Sequence, residues 1–101
     1  MKYLIFFIIM FSSPLYALDL VSSQYNCTHK DNDLVREVKI VHKDPGCEVK
    51  YTKAVGTVNE KTRSLWRAKN STEYCDNKGH AFVEEKLQKE FGWVCIDQIN
   101  N

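Results

Sequence analysis

The chain has 101 residues, 14 of them Lys or Arg and 13 Asp or Glu, with 44% hydrophobic and 12% aromatic residues. That length holds one small domain. The balanced charge argues against a nucleic-acid ligand, because binding a phosphate backbone requires a basic surplus. The apolar content argues against disorder.

The N-terminus reads as a secretory leader. Lys2 supplies a positive start, an unbroken apolar run extends from Tyr3 to Phe11, and Ser12, Ser13 and Pro14 interrupt it. Leu15-Tyr16-Ala17 then offers a small residue at the cut, which predicts cleavage after Ala17 and a mature domain over 18–101. The apolar run is too short for a bilayer span, which needs about 20 residues. No stable membrane insertion is expected once the leader is gone. Loss of Lys2 would bring the 14 basic residues level with the 13 acidic ones. The expected location is the periplasm or the medium.

Leu18 to Gln24 reads as a lead-in, and Tyr25 to His29 as a first strand. Asp31-Asn32-Asp33 has turn composition. Leu34 to His42 alternates, with Leu34, Arg36, Val38, Ile40 and His42 on one face and Val35, Glu37, Lys39 and Val41 on the other. Lys43-Asp44-Pro45-Gly46 is a turn: proline presets φ and glycine accepts a positive one. Cys47 to Lys53 alternates again, with Cys47, Val49 and Tyr51 expected inside and Glu48, Lys50 and Thr52 outside.

Ala54 to Thr62 forms a longer connection around Gly56, and Arg63 to Lys69 a fourth strand. Trp66 stands in opposite phase to Leu65, so one of the two is expected to point away from the covered face. Ser71 or Thr72 would cap a helix reaching about Glu90. Its apolar stripe is Cys75, Gly79, Phe82, Val83, Leu87 and Phe91. Gly92 would end it, and Trp93 to Asp97 would form a last strand. The expected architecture is α+β: an antiparallel β-meander with one helix packed on one face, in the order β-β-β-β-α-β.

Export makes two disulfides the natural reading of Cys27, Cys47, Cys75 and Cys95. The distance from Cys75 to Glu90 along a helix is about 22 Å. Three extended residues recover only about 10 Å of it, which disfavours Cys75–Cys95. The hairpin of the third and fourth strands brings Cys47 to where the helix begins. Cys47–Cys75 and Cys27–Cys95 are therefore favoured.

Catalytic and metal chemistry find little footing. No Cys-x-x-Cys occurs, and His29, His42 and His80 lie on separate elements with no ligand spacing. No Gly-x-Ser-x-Gly occurs either. Glu84 and Glu85 are helical neighbours about 100° apart and do not face each other. The expectation is a non-enzymatic protein without cofactor or metal. Its candidate partner-binding residues are Lys61 and Arg63, on the 54–63 connection, and the aromatics Trp66 and Tyr74. A loop on a stapled scaffold is the way inhibitors of secreted hydrolases present themselves, because preorganisation cuts the entropy lost on binding. Three readings follow: a binding protein for an unidentified protein partner, an inhibitor of a lysozyme- or protease-type hydrolase acting through 54–63, and an accessory subunit of a cell-envelope assembly.

The blocks Pro45-Gly46-Cys47-Glu48-Val49-Lys50-Tyr51, Leu65-Trp66-x-Ala68-x-Asn70, Tyr74-Cys75 and Gly92-Trp93-x-Cys95 resemble those of small exported four-cysteine proteins of Gram-negative bacteria. Gly46 interrupts the Pro-Cys pair of that pattern. The resemblance implies a periplasmic location and no particular activity. The Ser-Gly-rich loop with a following Tyr, characteristic of periplasmic lysozyme inhibitors, is missing; Val55-Gly56-Thr57 lies nearest to that place.

Overall fold

The computed structural model describes residues 19–100, so the leader expected over 1–17 and the cleavage expected after Ala17 lie outside the described residues. Five strands form one antiparallel sheet: β1 Leu20–His29, β2 Asn32–His42, β3 Cys47–Lys53, β4 Lys61–Ala68 and β5 Val94–Asp97. Their spatial order is β4-β3-β2-β1-β5. A single helix separates β4 from β5. It is α-helical over Glu73–Ala81 (α1) and wound more widely, as a π-helix, over Phe82–Glu90 (α2). The element order and the α+β class are those expected from the sequence.

Four strand starts differ from those expected, and that of β2 lies two residues early, at Asn32 instead of Leu34. Strand β1 starts at Leu20, because Val21, Ser23 and Gln24 already pair with Val41, Ile40 and Lys39 of β2. The polar stretch Ser22-Ser23-Gln24 hides this strand from a reading of hydrophobic alternation. Strand β4 starts at Lys61, directly opposite Lys53, so the connection is shorter than expected. Trp93 precedes β5 and is buried.

The core lies between the helix and one sheet face. Val38, Ile40, Val49, Val83, Leu87 and Trp93 fill it, joined by Tyr51 and the half-cystines Cys27, Cys47 and Cys75. Gly79 lets the helix come close to the sheet: a Cβ there would lie 2.5 Å from Ile40 Cδ1. The expected stripe holds for Cys75, Gly79, Val83 and Leu87, but Phe91 is 53% exposed. It caps the helix, just before the chain enters β5. Thr72 occupies the cap position by its backbone, while Ser71 Oγ accepts the Tyr74 N–H at 3.1 Å. Gly92, with φ of 77°, ends the helix.

Both favoured disulfides are present. Cys27 and Cys95 are direct partners across β1 and β5. Cys47–Cys75 ties the start of β3 to the first turn of α1. Together they fasten the helix and the terminal strand to the sheet.

The opposite face is less exposed than its polar residues imply. Glu48 and Thr52, expected outside, are buried. Glu48 receives Lys43 at 3.4 Å and Arg67 at 3.3 Å, and Thr52 shares a 2.7 Å hydroxyl contact with Thr62. Burial raises the Glu48 pKa, but the hydrogen bonds from Ser64 and Lys43 and the Arg67 charge outweigh it and leave the pKa lowered.

Candidate functional site

The helix does not cover its face of the sheet evenly. Its first half packs on β2, β3 and β4, and its second half turns toward β5. A diagonal crossing of this kind leaves the far end of β3 and β4 open. A cleft of about 680 Å³ lies along that opening, between β4 and the helix. Leu65, Trp66, Ala81 and Phe82 supply its apolar lining, and Lys78, Glu85, Lys86 and Glu90 its charged rim.

A β-bulge makes the floor of this cleft. Val49 pairs with Trp66, but Lys50 pairs with Ser64, so Leu65 has no partner on β3. Strict alternation would send Leu65 and Trp66 to opposite faces. The extra residue cancels that rule, and both side chains pack against the core on the helix side. The expectation that one of them points away is thereby corrected. Trp66 meets Phe82 edge to face at 5.8 Å, and Phe82 meets Tyr51 in the same manner at 5.1 Å.

Trp66 and Tyr74 are brought into one cluster by a residue the sequence reading did not select. Lys78 Nζ lies 5.9 Å from the Trp66 ring and 5.9 Å from the Tyr74 ring. The spacing of Tyr74 and Lys78, one helical turn apart, is the signal that could have found it.

Lys61 and Arg63 are not on a loose loop. Both belong to β4, paired with Lys53 and Tyr51 respectively. The remaining connection is held by its own hydrogen bonds. Val55 N–H donates to Val35 O at 3.0 Å, Gly56 N–H to the Glu60 carboxylate at 2.6 Å, and Thr57 Oγ1 to Ala54 O at 2.8 Å. Val58 stands at its tip, 100% exposed.

Arg36 lies at the other margin of the open region. Its guanidinium sits 4.4 Å from the Trp93 ring centroid and donates to Tyr51 Oη at 2.7 Å. It lines a shallow recess with His29, Asp31 and Phe91.

The three histidines have separate partners. His29 Nε2 contacts Phe91 O at 3.0 Å, His42 Nε2 contacts the Asp76 carboxylate at 2.8 Å, and His80 Nδ1 contacts Tyr25 Oη at 2.5 Å. Burial, then the Asp97 and Glu84 charges, raises the Tyr25 pKa. No group of three or more metal-ligating side chains occurs among the described residues, and no helix among them is long and apolar enough to cross a membrane.

Comparison with known proteins gave no match among family models, curated proteins or solved structures.

Proposed function

We propose that this chain is an exported, non-enzymatic binding protein that takes hold of a protein partner through the cleft between β4 and the helix. The observation that carries this reading is the cleft floor. Leu65, Trp66 and Phe82 are only partly buried, and the bulge turns Leu65 and Trp66 onto the same side. Aromatic side chains in a recess, rimmed by charge and set in a rigid frame, have the composition of a binding hot spot. The frame is rigid because a disulfide anchors each end of the helix region. Preorganisation of this kind lowers the cost of association. The two disulfides also favour an oxidising compartment, in keeping with the leader read from Lys2 to Ala17.

The test is capture of a partner from envelope and medium fractions by the oxidised protein, compared with Trp66→Ala. A stoichiometric partner held by the native protein and lost with Trp66→Ala supports the reading. A partner held equally by both places the binding surface elsewhere.

A second reading has its own observation. Val58 projects, fully exposed, from a connection pinned at Val55, Gly56 and Thr57. That is the form of a loop inhibiting a secreted hydrolase. Inhibition of a lysozyme or protease that disappears with Val58→Asp and persists with Trp66→Ala would favour it over the cleft.

A further inference from the structure

The uncovered corner of the sheet is basic, and the register explains how. Tyr51 is an inward residue of β3, so Lys53, two positions on, shares its face. Lys53 pairs with Lys61, and Tyr51 with Arg63. Glu37 pairs with Thr52, which sets Arg36 across from Lys53 one step further along the ladder. Arg36, Lys53 and Lys61 thus form one row across three strands, and Arg63 stands beside it. Arg36 and Lys53 flank the Tyr51 ring at 5.9 and 5.8 Å.

None of these four cations forms a salt bridge among the described residues. The pairs present there are Lys39–Glu37, His42–Asp76, Lys43–Asp19, Lys43–Glu48, Arg67–Glu48 and Lys86–Glu90. In a chain with 14 basic and 13 acidic residues, this grouping is uneven. Like charges directly opposite on neighbouring strands, as Lys53 and Lys61 are, work against folding. Cations on an edge strand have a known use in discouraging edge pairing, and that accounts for Lys61 and Arg63. It does not account for Lys53, which is exposed on the inner strand β3, while Arg36 on β2 is half-buried and held by Tyr51 Oη and the Trp93 ring.

We propose that this corner receives an extended acidic segment of the partner protein, its carboxylates on Arg36, Lys53, Lys61 and Arg63 and a neighbouring apolar side chain in the Leu65–Trp66–Phe82 cleft. The inference rests on the cleft being a protein-binding site and adds the chemistry of what binds there. Strand spacing spreads the row over about 10 Å, too wide for one phosphate to span. An extended peptide carries same-face side chains about 7 Å apart, which suits such a spread. Glu85 and Glu90 stand on the helical rim of the cleft, with Lys86 held to Glu90 at 3.0 Å. They place the acid-repelling side away from β4.

The experiment measures fluorescence anisotropy of a labelled peptide, Thr-Glu-Thr-Glu-Thr-Phe-Thr, against the disulfide-bonded protein. The comparison probes are the same peptide with Lys for Glu, inorganic phosphate as competitor, and phosphatidylglycerol vesicles. The acidic peptide is expected to bind, more weakly as salt rises. The lysine peptide is expected not to bind, and Lys53→Glu with Arg63→Glu to weaken the acidic peptide about tenfold or more. Both altered side chains are exposed, so the fold is retained. Equal binding of the two peptides, or binding of neither, overturns the proposal. So does displacement by phosphate at the peptide's own concentration, or preference for the vesicles. A natural partner lost with Trp66→Ala but kept by the double charge reversal would leave the cleft standing and remove the acidic segment.

Discussion

Gly79 and Ile40 meet where the helix crosses the sheet, and a methyl group on Gly79 would come within 2.5 Å of Ile40 Cδ1 and 2.7 Å of its Cγ1. By helix propensity alone, Gly79→Ala should stabilise the protein by about 1 kcal/mol. Ile40 is fully buried, so the new methyl must push into a packed core. Overpacking costs about 1–3 kcal/mol, and net destabilisation is the expected outcome in urea unfolding. Ile40→Val removes the colliding Cδ1. The double variant should therefore lose less stability than the two single losses summed.

Asp97 makes acid stability dependent on the C-terminal segment. Burial raises its pKa, but hydrogen bonds from the Asn100 side chain and from the backbone N–H groups of Ile99, Asn100 and Gln24 outweigh that and bring it from 3.8 to about 2. A carboxyl with a folded pKa below its unfolded one adds stability above the unfolded value. That stability fades as pH falls toward the folded value. Asp97→Asn should lower stability at pH 7, and the gap from wild type should close between pH 3.8 and about 2. Thermal melts across that range measure it. A gap independent of pH would show that the carboxylate charge has no part in it.

Two left-handed residues should answer substitution differently. Gly46 has φ of 99°, and a Cβ there would meet Ala68 O at 2.5 Å and Lys69 O at 2.8 Å. Both are backbone atoms at the end of β4, so Gly46→Ala should cost about 1–3 kcal/mol. Ala54 already holds φ of 53° with its side chain buried. Ala54→Gly relieves left-handed strain but loses buried surface and backbone entropy, so it should stay within about 0.5 kcal/mol of wild type. Chemical denaturation of the two variants side by side tests the contrast.

The disulfides close loops of different length, 68 residues for Cys27–Cys95 and 28 for Cys47–Cys75. Replacing either pair with alanine should cost about 2–5 kcal/mol. The chain-entropy model makes the longer loop the costlier loss, by under about 1 kcal/mol. Calorimetry of the two double-alanine variants gives the order. The reverse order would mean that Cys47–Cys75 acts mainly by holding α1 on the sheet.

Much of this protein is local and therefore legible in its residues. Alternation marks β2 and β3, Pro45 and Gly46 mark the turn between them, and Ser71 and Gly92 mark the two ends of the helix. Even the disulfide pairing followed from strand and helix lengths, because a rise per residue is a property of the element alone. The candidate site was half legible. Lys61, Arg63, Trp66 and Tyr74 could be picked out as residues, but not as an arrangement. Whether Leu65 and Trp66 share a face depends on a slip against β3, and no pattern within β4 records it. Lys78 enters because the helix lies over Trp66, and Arg36 and Lys53 because the same helix crosses diagonally and leaves their corner uncovered. Elements follow from short-range sterics and hydrogen bonding. Which side chains meet follows from register and crossing angle, which only the packed tertiary structure decides.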